Sequence, residues 1–129
     1  MVVKLARLGR TSFRTIKNNR DYIKDRTNYS WLYLSRIASL KEFAFMKALY
    51  NKGFPTPTPI DSNRHAIVMS YVNAYQMSQV KMMSNPVKVY EELLGIIIKL
   101  AEHGLVHGDF NEFNLLINDE EKITLIDFP

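Results

Sequence analysis

Cysteine is absent from the 129-residue chain. Its absence removes disulfide frameworks, thiolate zinc sites and cysteine nucleophiles together, and fits a reducing compartment. Long hydrophobic runs are also lacking. The longest apolar stretch, residues 93–98, includes Gly95 and falls far short of the roughly 18–20 residues needed to cross a bilayer. Lys4 and Arg7 interrupt the start, so no secretory signal is visible. Internal repeats and low-complexity tracts are missing too. What remains is 47% hydrophobic, the range of ordinary globular proteins rather than disordered or fibrous ones. A chain of this size buries roughly two thirds of its unfolded surface, enough for one core. The expectation is a soluble intracellular chain, one domain or part of one, without disulfides or membrane spans.

The net charge of +4 is unevenly distributed. Residues 1–40 hold nine Lys and Arg against two Asp, whereas residues 41–129 hold eight against eleven Asp and Glu. The basic part runs through Arg7, Arg10, Arg14, Lys17, Arg20, Lys24 and Arg26, with Phe13, Tyr22 and Tyr29 interleaved. Such a stretch can neutralise phosphates while its rings stack on bases, which makes RNA a reasonable partner. A solvated loop or helix face explains the same charges. A mitochondrial transit peptide is a third reading, weakened by Gly9 and by the lack of an amphipathic stripe.

Hydrophobic patterning predicts an α+β chain. Residues 2–5 read as a strand, and 6–29 as a long polar loop. Ser30 can cap a helix running to about Asn51, with Gly53 just past its end. Leu34, Ile37, Ala38, Phe45, Ala48 and Leu49 share one face of that helix. Pro55, Pro57 and Pro59 force an extended connection, and Asp61, Ser62 and Asn63 form a turn into a buried strand over 66–72. Residues 73–84 are irregular. A second helix starts at Asn85 and Pro86 and ends at His103 and Gly104, with Val89, Leu93, Ile96, Ile97 and Leu100 as its core face. A loop (105–113), a strand (115–117), a turn (118–121) and a strand (123–126) follow.

The chemistry concentrates in the last 25 residues. His107-Gly108-Asp109-Phe110-Asn111-Glu112-Phe113-Asn114 lies between the helix and the hairpin, and Ile126-Asp127-Phe128-Pro129 closes the chain. A hairpin brings its ends together, so Asn114 and Asp127 present two hard oxygen ligands to one point. Magnesium carried in by a nucleotide needs few protein oxygens of this kind, because phosphates and waters supply the rest. Asp109 is placed to orient, or take a proton from, an attacking hydroxyl. Each of these residues alone also suits a turn; their joint occurrence in helix–loop–hairpin context points to phosphoryl transfer.

This pattern resembles the catalytic and metal-binding loops of the protein-kinase-like fold, and more narrowly the second branch of the RIO kinases. Leu8-Gly9-Arg10-Thr11-Ser12-Phe13-Arg14, Arg20-Asp21-Tyr22, Ser30-Trp31-Leu32-Tyr33-Leu34-Ser35-Arg36 and Lys41-Glu42-Phe43 are similar to that branch as well. The resemblance implies a protein-kinase-like RIO fold with an incomplete N-lobe (1–68) carrying a basic flexible loop (7–29), a hinge (69–72) and the start of the C-lobe (73–129). It implies ATP and Mg²⁺ as cofactors, and Asp109 as the catalytic aspartate. Asn114 and Asp127 become metal ligands, with Asp127 also the acceptor of an aspartyl-phosphate. Lys4 becomes the lysine that holds the phosphates and Glu42 its partner. Met69, Ser70 and Val72 fall at the hinge, where the backbone of Ser70 and Val72 meets adenine. On the helical wheel alone Glu42 only flanks the apolar face and reads as a surface residue; Lys41 lies nearer its centre.

The family works on precursor small ribosomal subunits, so the resemblance implies rRNA or ribosome contact through residues 7–29 and a cytoplasmic or nuclear location. It also implies a glycine-rich loop and a winged helix ahead of Lys4 and helices after Pro129. The chain is therefore expected to be a truncated RIO kinase whose activity alone is open. Two alternatives stay beside the leading reading. One is a non-catalytic RNA- or ribosome-binding piece; the other is a small-molecule kinase of the aminoglycoside-phosphotransferase type, against which Phe128-Pro129 and the Gly9–Arg14 motif argue.

Overall fold

The computed structural model describes residues 1–6 and 31–128. The basic loop (7–29) and the Ser30 cap lie outside the described residues. Strand β1 (Val2–Leu5) pairs antiparallel with β3 (Ala66–Met69), which pairs on its other side with β2 (Pro59–Asn63). The sheet order is β1-β3-β2. A second sheet, β4-β5-β6, joins Tyr75–Gln76, Leu115–Ile117 and Ile123–Leu125. Helix α1 (Trp31–Asn51) packs on β2 and β3, and α2 (Pro86–Glu102) packs on β6. No helix among the described residues is long and apolar enough to cross a membrane.

Strand periodicity explains where β1 sends its one charged side chain. Successive residues face opposite sides of a sheet, and in β1 Val2 and Lys4 turn inward while Val3 and Leu5 stay exposed. Lys4 thus sits opposite Ile67, which is 1% exposed.

Helix α1 departs from the wheel expectation. Its buried ridge is Ser35, Ser39, Met46 and Leu49, with half-buried Glu42 in line between them; Ala48 is exposed. The spacing is helical, but two positions of the ridge are serines. Small residues let the helix approach the sheet closely, and the Ser35 hydroxyl donates to the Ala6 carbonyl at 3.3 Å. Gly53, at φ +69°, ends the helix, and the Phe54 N–H returns to the Leu49 carbonyl.

Helix α2 begins as expected. Asn85 accepts from the Lys88 N–H at 3.1 Å, and the carboxylate of Glu121, in the β5–β6 turn, accepts from the Ser84 and Asn85 N–H groups. A distant carboxylate therefore satisfies backbone donors at a helix start and complements its dipole. Val89, Ile96 and Leu100 are buried, and Ile97 is 43% exposed, off the core face. These three join Met46, Leu49, Phe54, Ile67, Leu115, Ile117, Ile123, Leu125 and Phe128 in one core.

Three boundaries differ from expectation. Residues 61–63 belong to β2, and the reversal falls at Arg64 and His65, with Arg64 at φ +50°. Partnering with β3 outweighs the turn propensity of Asp, Ser and Asn. Strand β3 stops at Met69 rather than Val72, and β6 at Leu125 rather than Ile126. Within the irregular stretch, Tyr75–Gln76 adds a strand to β5 and Met77–Gln79 forms a 3-10 turn. Period alone cannot find a two-residue strand.

Candidate active site

Between the two sheets lies a cleft of about 330 Å³, within the size range of small-molecule sites. Val2, Met46, Pro57, Met69, Leu116 and Ile126 give it an apolar lining; Lys4, Glu42 and Asp127 stand at its polar part; Ser70, Tyr71, Val72 and Ala74 form another wall. Six of the eight residues singled out from the sequence (Lys4, Glu42, Met69, Ser70, Val72 and Asp127) line this one cleft.

Lys4 joins the two carboxylates. Its Nζ donates to Glu42 Oε1 at 2.5 Å and also to Asp127 Oδ1. Side-chain exposures are 34% for Lys4, 15% for Glu42 and 55% for Asp127, so the Glu42 arm is sheltered and the Asp127 arm is wet. Burial pulls Lys4 down, but hydrogen bonds and charge from Asp127 and Glu42 outweigh it and leave its pKa above the ordinary value. Burial raises the Glu42 carboxyl above its usual range, partly offset by Lys4 and reinforced by the Asp127 charge. The two directions have different causes: two anionic partners overcome the burial of the ammonium, whereas one cation does not offset the burial of the carboxyl.

Asp109 and Asn114 form a second unit on the loop after α2. Asn114, 7% exposed, donates through Nδ2 to the Asp109 carbonyl (2.9 Å) and to Asp109 Oδ2 (2.8 Å). Asn111 Nδ2 donates to Asp109 Oδ1 at 2.7 Å, while its own Oδ1 accepts the Phe113 N–H. Each carboxylate oxygen of Asp109 thus accepts one amide hydrogen, which sets the carboxylate plane. The Asn111 contact went unseen in the sequence, although Asn111 lies inside the motif; two-residue spacing gives no hint of which side chain turns back. Gly108 stands at φ +77°, a conformation that admits the turn into Asp109 without a Cβ clash.

The hairpin joins the two units. The Ile126 N–H donates to the Asn114 carbonyl at 3.0 Å, which sets Asn114 beside the residue before Asp127. Asp127 follows at φ +64°, a left-handed conformation that costs an L-residue energy and that Asp and Asn tolerate best. Phe128 turns into the core at 5% exposure and packs on the His107 ring, with centroids 5.7 Å apart. His107 also meets Phe110 edge-on at 5.8 Å. Burial lowers the His107 pKa against the opposing charges of Asp109 and Asp127.

The donor set suits a hard cation that brings its own oxygens. Asn114 spends its amide hydrogens on Asp109 and keeps its carbonyl oxygen, and Asp127 keeps Oδ2. Among the described residues no group of three His, Cys, Asp or Glu forms a metal site by itself. Two oxygens plus phosphate and water match Mg²⁺.

Past Met69 the chain leaves the β3 ladder. The Ser70 N–H donates to the Thr58 carbonyl at 2.9 Å, so of the Ser70 backbone groups it is the carbonyl that is open to a ligand. The Ser70 carbonyl and the Val72 N–H make no hydrogen bond to another described residue. Thr58 is a contact that the sequence did not announce.

The RIO domain family model matches residues 1–129. The chain is 67% identical over 129 residues to the serine/threonine-protein kinase rio2 of Dictyostelium discoideum, covering 100% of this chain and 25% of that protein. It is 49% identical over 128 residues to its counterpart in Schizosaccharomyces pombe, covering 99% and 37%. The crystal structure of the Rio2 kinase-ADP/Mg²⁺-phosphoaspartate complex from Chaetomium thermophilum superposes with a TM-score of 0.78 at 52% identity, over 98% of this chain and 40% of that one. The chain thus spans between a quarter and two fifths of the length of these relatives.

Proposed function

Because this chain belongs to the RIO domain family and has its protein-kinase-like α+β fold, we propose that it binds ATP with Mg²⁺ and serves a RIO-type serine/threonine kinase or ATPase acting in small ribosomal subunit maturation. The observation that carries the reading is Lys4 held between Glu42 and Asp127 at the polar part of an apolar cleft. Residues 1–68 act as the N-lobe part, 69–72 as the hinge and 73–129 as the start of the C-lobe.

The residues divide the work by chemistry. The Ser70 carbonyl accepts from the adenine amino group and the Val72 N–H donates to N1, while Met69 lines the base pocket. Lys4, kept charged and aimed by Glu42, holds the phosphates. Asn114 and Asp127 hold Mg²⁺, which neutralises phosphate charge when bound. Asp109, its carboxylate set by Asn111 and Asn114, orients the acceptor.

The Chaetomium Rio2 complex carries a phosphoaspartate, and Asp127 is the residue proposed for that role here. An Asp127 oxygen attacks the γ-phosphorus, the bond to the β–γ bridging oxygen breaks, and ADP leaves. Water then hydrolyses the acyl phosphate, restoring the carboxylate. Residues 7–29 are proposed to contact rRNA of the precursor subunit, on their charge and aromatic content. A cytoplasmic or nuclear location accords with that partner.

The test is a thermal melt with and without Mg-ATP, run beside Asp127→Ala. A shift that requires ATP, Mg²⁺ and Asp127 together is expected. A melt indifferent to nucleotide overturns the reading for this chain.

A further inference from the structure

Thr58 stands between Pro57 and Pro59 and therefore carries the only backbone N–H of residues 57–59. The β2–β3 ladder begins at Pro59 and Met69 and shifts register between Pro59 and Asp61, so regular pairing does not reach Thr58. Its N–H goes instead to the hydroxyl of Ser70, at 2.9 Å, while the Ser70 N–H returns to the Thr58 carbonyl at 2.9 Å. A side chain thus supplies the acceptor with which the ladder closes one step beyond β3. That step is where the chain enters the cleft wall formed by Ser70, Tyr71 and Val72.

We propose that the Ser70 hydroxyl, held on the Thr58 amide, is a positioning group that makes this cleft select adenine over guanine. The inference rests on the nucleotide reading given above and deepens it. With both Thr58 contacts made, the Ser70 N–H is spent, and the open backbone edge is one acceptor (Ser70 carbonyl) followed by one donor (Val72 N–H). Adenine offers the complementary order, an amino donor at C6 and an acceptor at N1. Guanine offers a carbonyl at C6 and an N–H at N1, which mismatches both groups and leaves them unpaired. Without the hydroxyl, the Thr58 N–H loses its acceptor while the Ser70 N–H stays on the Thr58 carbonyl. The Thr58 N–H then turns to the Ser70 carbonyl, the acceptor that the adenine amino group needs and that repels the guanine carbonyl, and discrimination narrows.

The experiment is calorimetric titration of the full chain with Mg-ATP and Mg-GTP, for the wild type, Ser70→Ala and Ser70→Thr, with hydrogen exchange followed at the Thr58 amide. Ser70→Ala is expected to weaken ATP about three- to tenfold, the worth of one net hydrogen bond, with no matching loss for GTP. The Thr58 amide should exchange faster, and Ser70→Thr, which keeps the hydroxyl, should restore affinity ratio and protection together. A lower melting temperature for Ser70→Ala with an unchanged ATP-to-GTP ratio marks a merely structural contact and overturns the proposal. If Ser70→Ala does not fold, Ser70→Cys, a weaker acceptor of similar size, replaces it: an intermediate ratio supports the proposal and a wild-type ratio overturns it. A wild type that binds ATP and GTP alike sinks this inference alone. A wild type that binds neither sinks the nucleotide reading with it.

Discussion

Replacing Lys4 with methionine keeps the aliphatic stem and removes the charge that Glu42 and Asp127 share. Asp127 is 55% exposed and regains water, so that arm contributes only about 0–1 kcal/mol. Glu42 is 15% exposed and is left as a sheltered carboxylate without a cation, a loss of about 1–3 kcal/mol. For a chain of this size the sum lowers Tm by roughly 3–10 °C. The pH dependence gives the substitution a signature. Glu42 has a raised folded pKa, so its ionised form opposes folding, and the stability linked to its protonated form is lost as pH rises through that value. Losing Lys4 raises it further, so the deficit of Lys4→Met should be large at pH 7 and shrink towards pH 5. Lys4 itself has a raised pKa, and its contribution is complete below 10.5 and lost only above its folded value. The wild type therefore keeps it throughout that window. Adding Glu42→Gln to Lys4→Met should recover most of the loss, because a neutral amide carries no buried charge. Differential scanning calorimetry at pH 5 and 7 reads all three. A Lys4→Met chain that melts within about 1 °C of the wild type at both values refutes the reasoning.

Asn114→Ala removes both amide contacts to Asp109 from a position 7% exposed, and urea titration should show a loss of about 1–3 kcal/mol. Asn114→Asp keeps the shape but sets a carboxylate against Asp109, so its deficit should ease as pH falls. Asp127→Gly relieves a non-glycine residue at φ +64° and should hold or raise stability by up to about 1 kcal/mol, while abolishing the Mg²⁺-dependent nucleotide shift; Asp127→Val should lower stability. His107 has a folded pKa depressed by burial. The stability it contributes is complete above 6.5 and is lost as pH falls through the folded value. NMR titration should place its transition below 6.5, and His107→Leu should flatten that acid limb.

Local pattern made several elements legible. Asn85 followed by Pro86 announced α2, because a cap and a first-turn proline act within one turn. Two short apolar runs, 115–117 and 123–126, on either side of the polar turn 118–121 announced the hairpin, and the span from His107 to Asn114 marked the candidate site. Long-range partnering escaped the sequence. Strand β2 overrode a turn signal because β3 supplied its hydrogen bonds, and α1 turned a ridge containing two serines and Glu42 inward because the sheet admits close approach there.

The same division runs through the site. Residue types and spacing alone singled out Asp109, Asn114 and Asp127 as one group of candidates, since one loop and one hairpin hold them close along the chain. The family resemblance implied the Lys4–Glu42 pair, but only the tertiary structure decided that Lys4, 123 residues from Asp127, lies against Asp127 as well as Glu42, that Asn111 sets the second oxygen of Asp109, and that Thr58 occupies the Ser70 N–H. Those contacts depend on how sheets, helix and hairpin pack around one cleft, and no period or spacing along the chain encodes that distance.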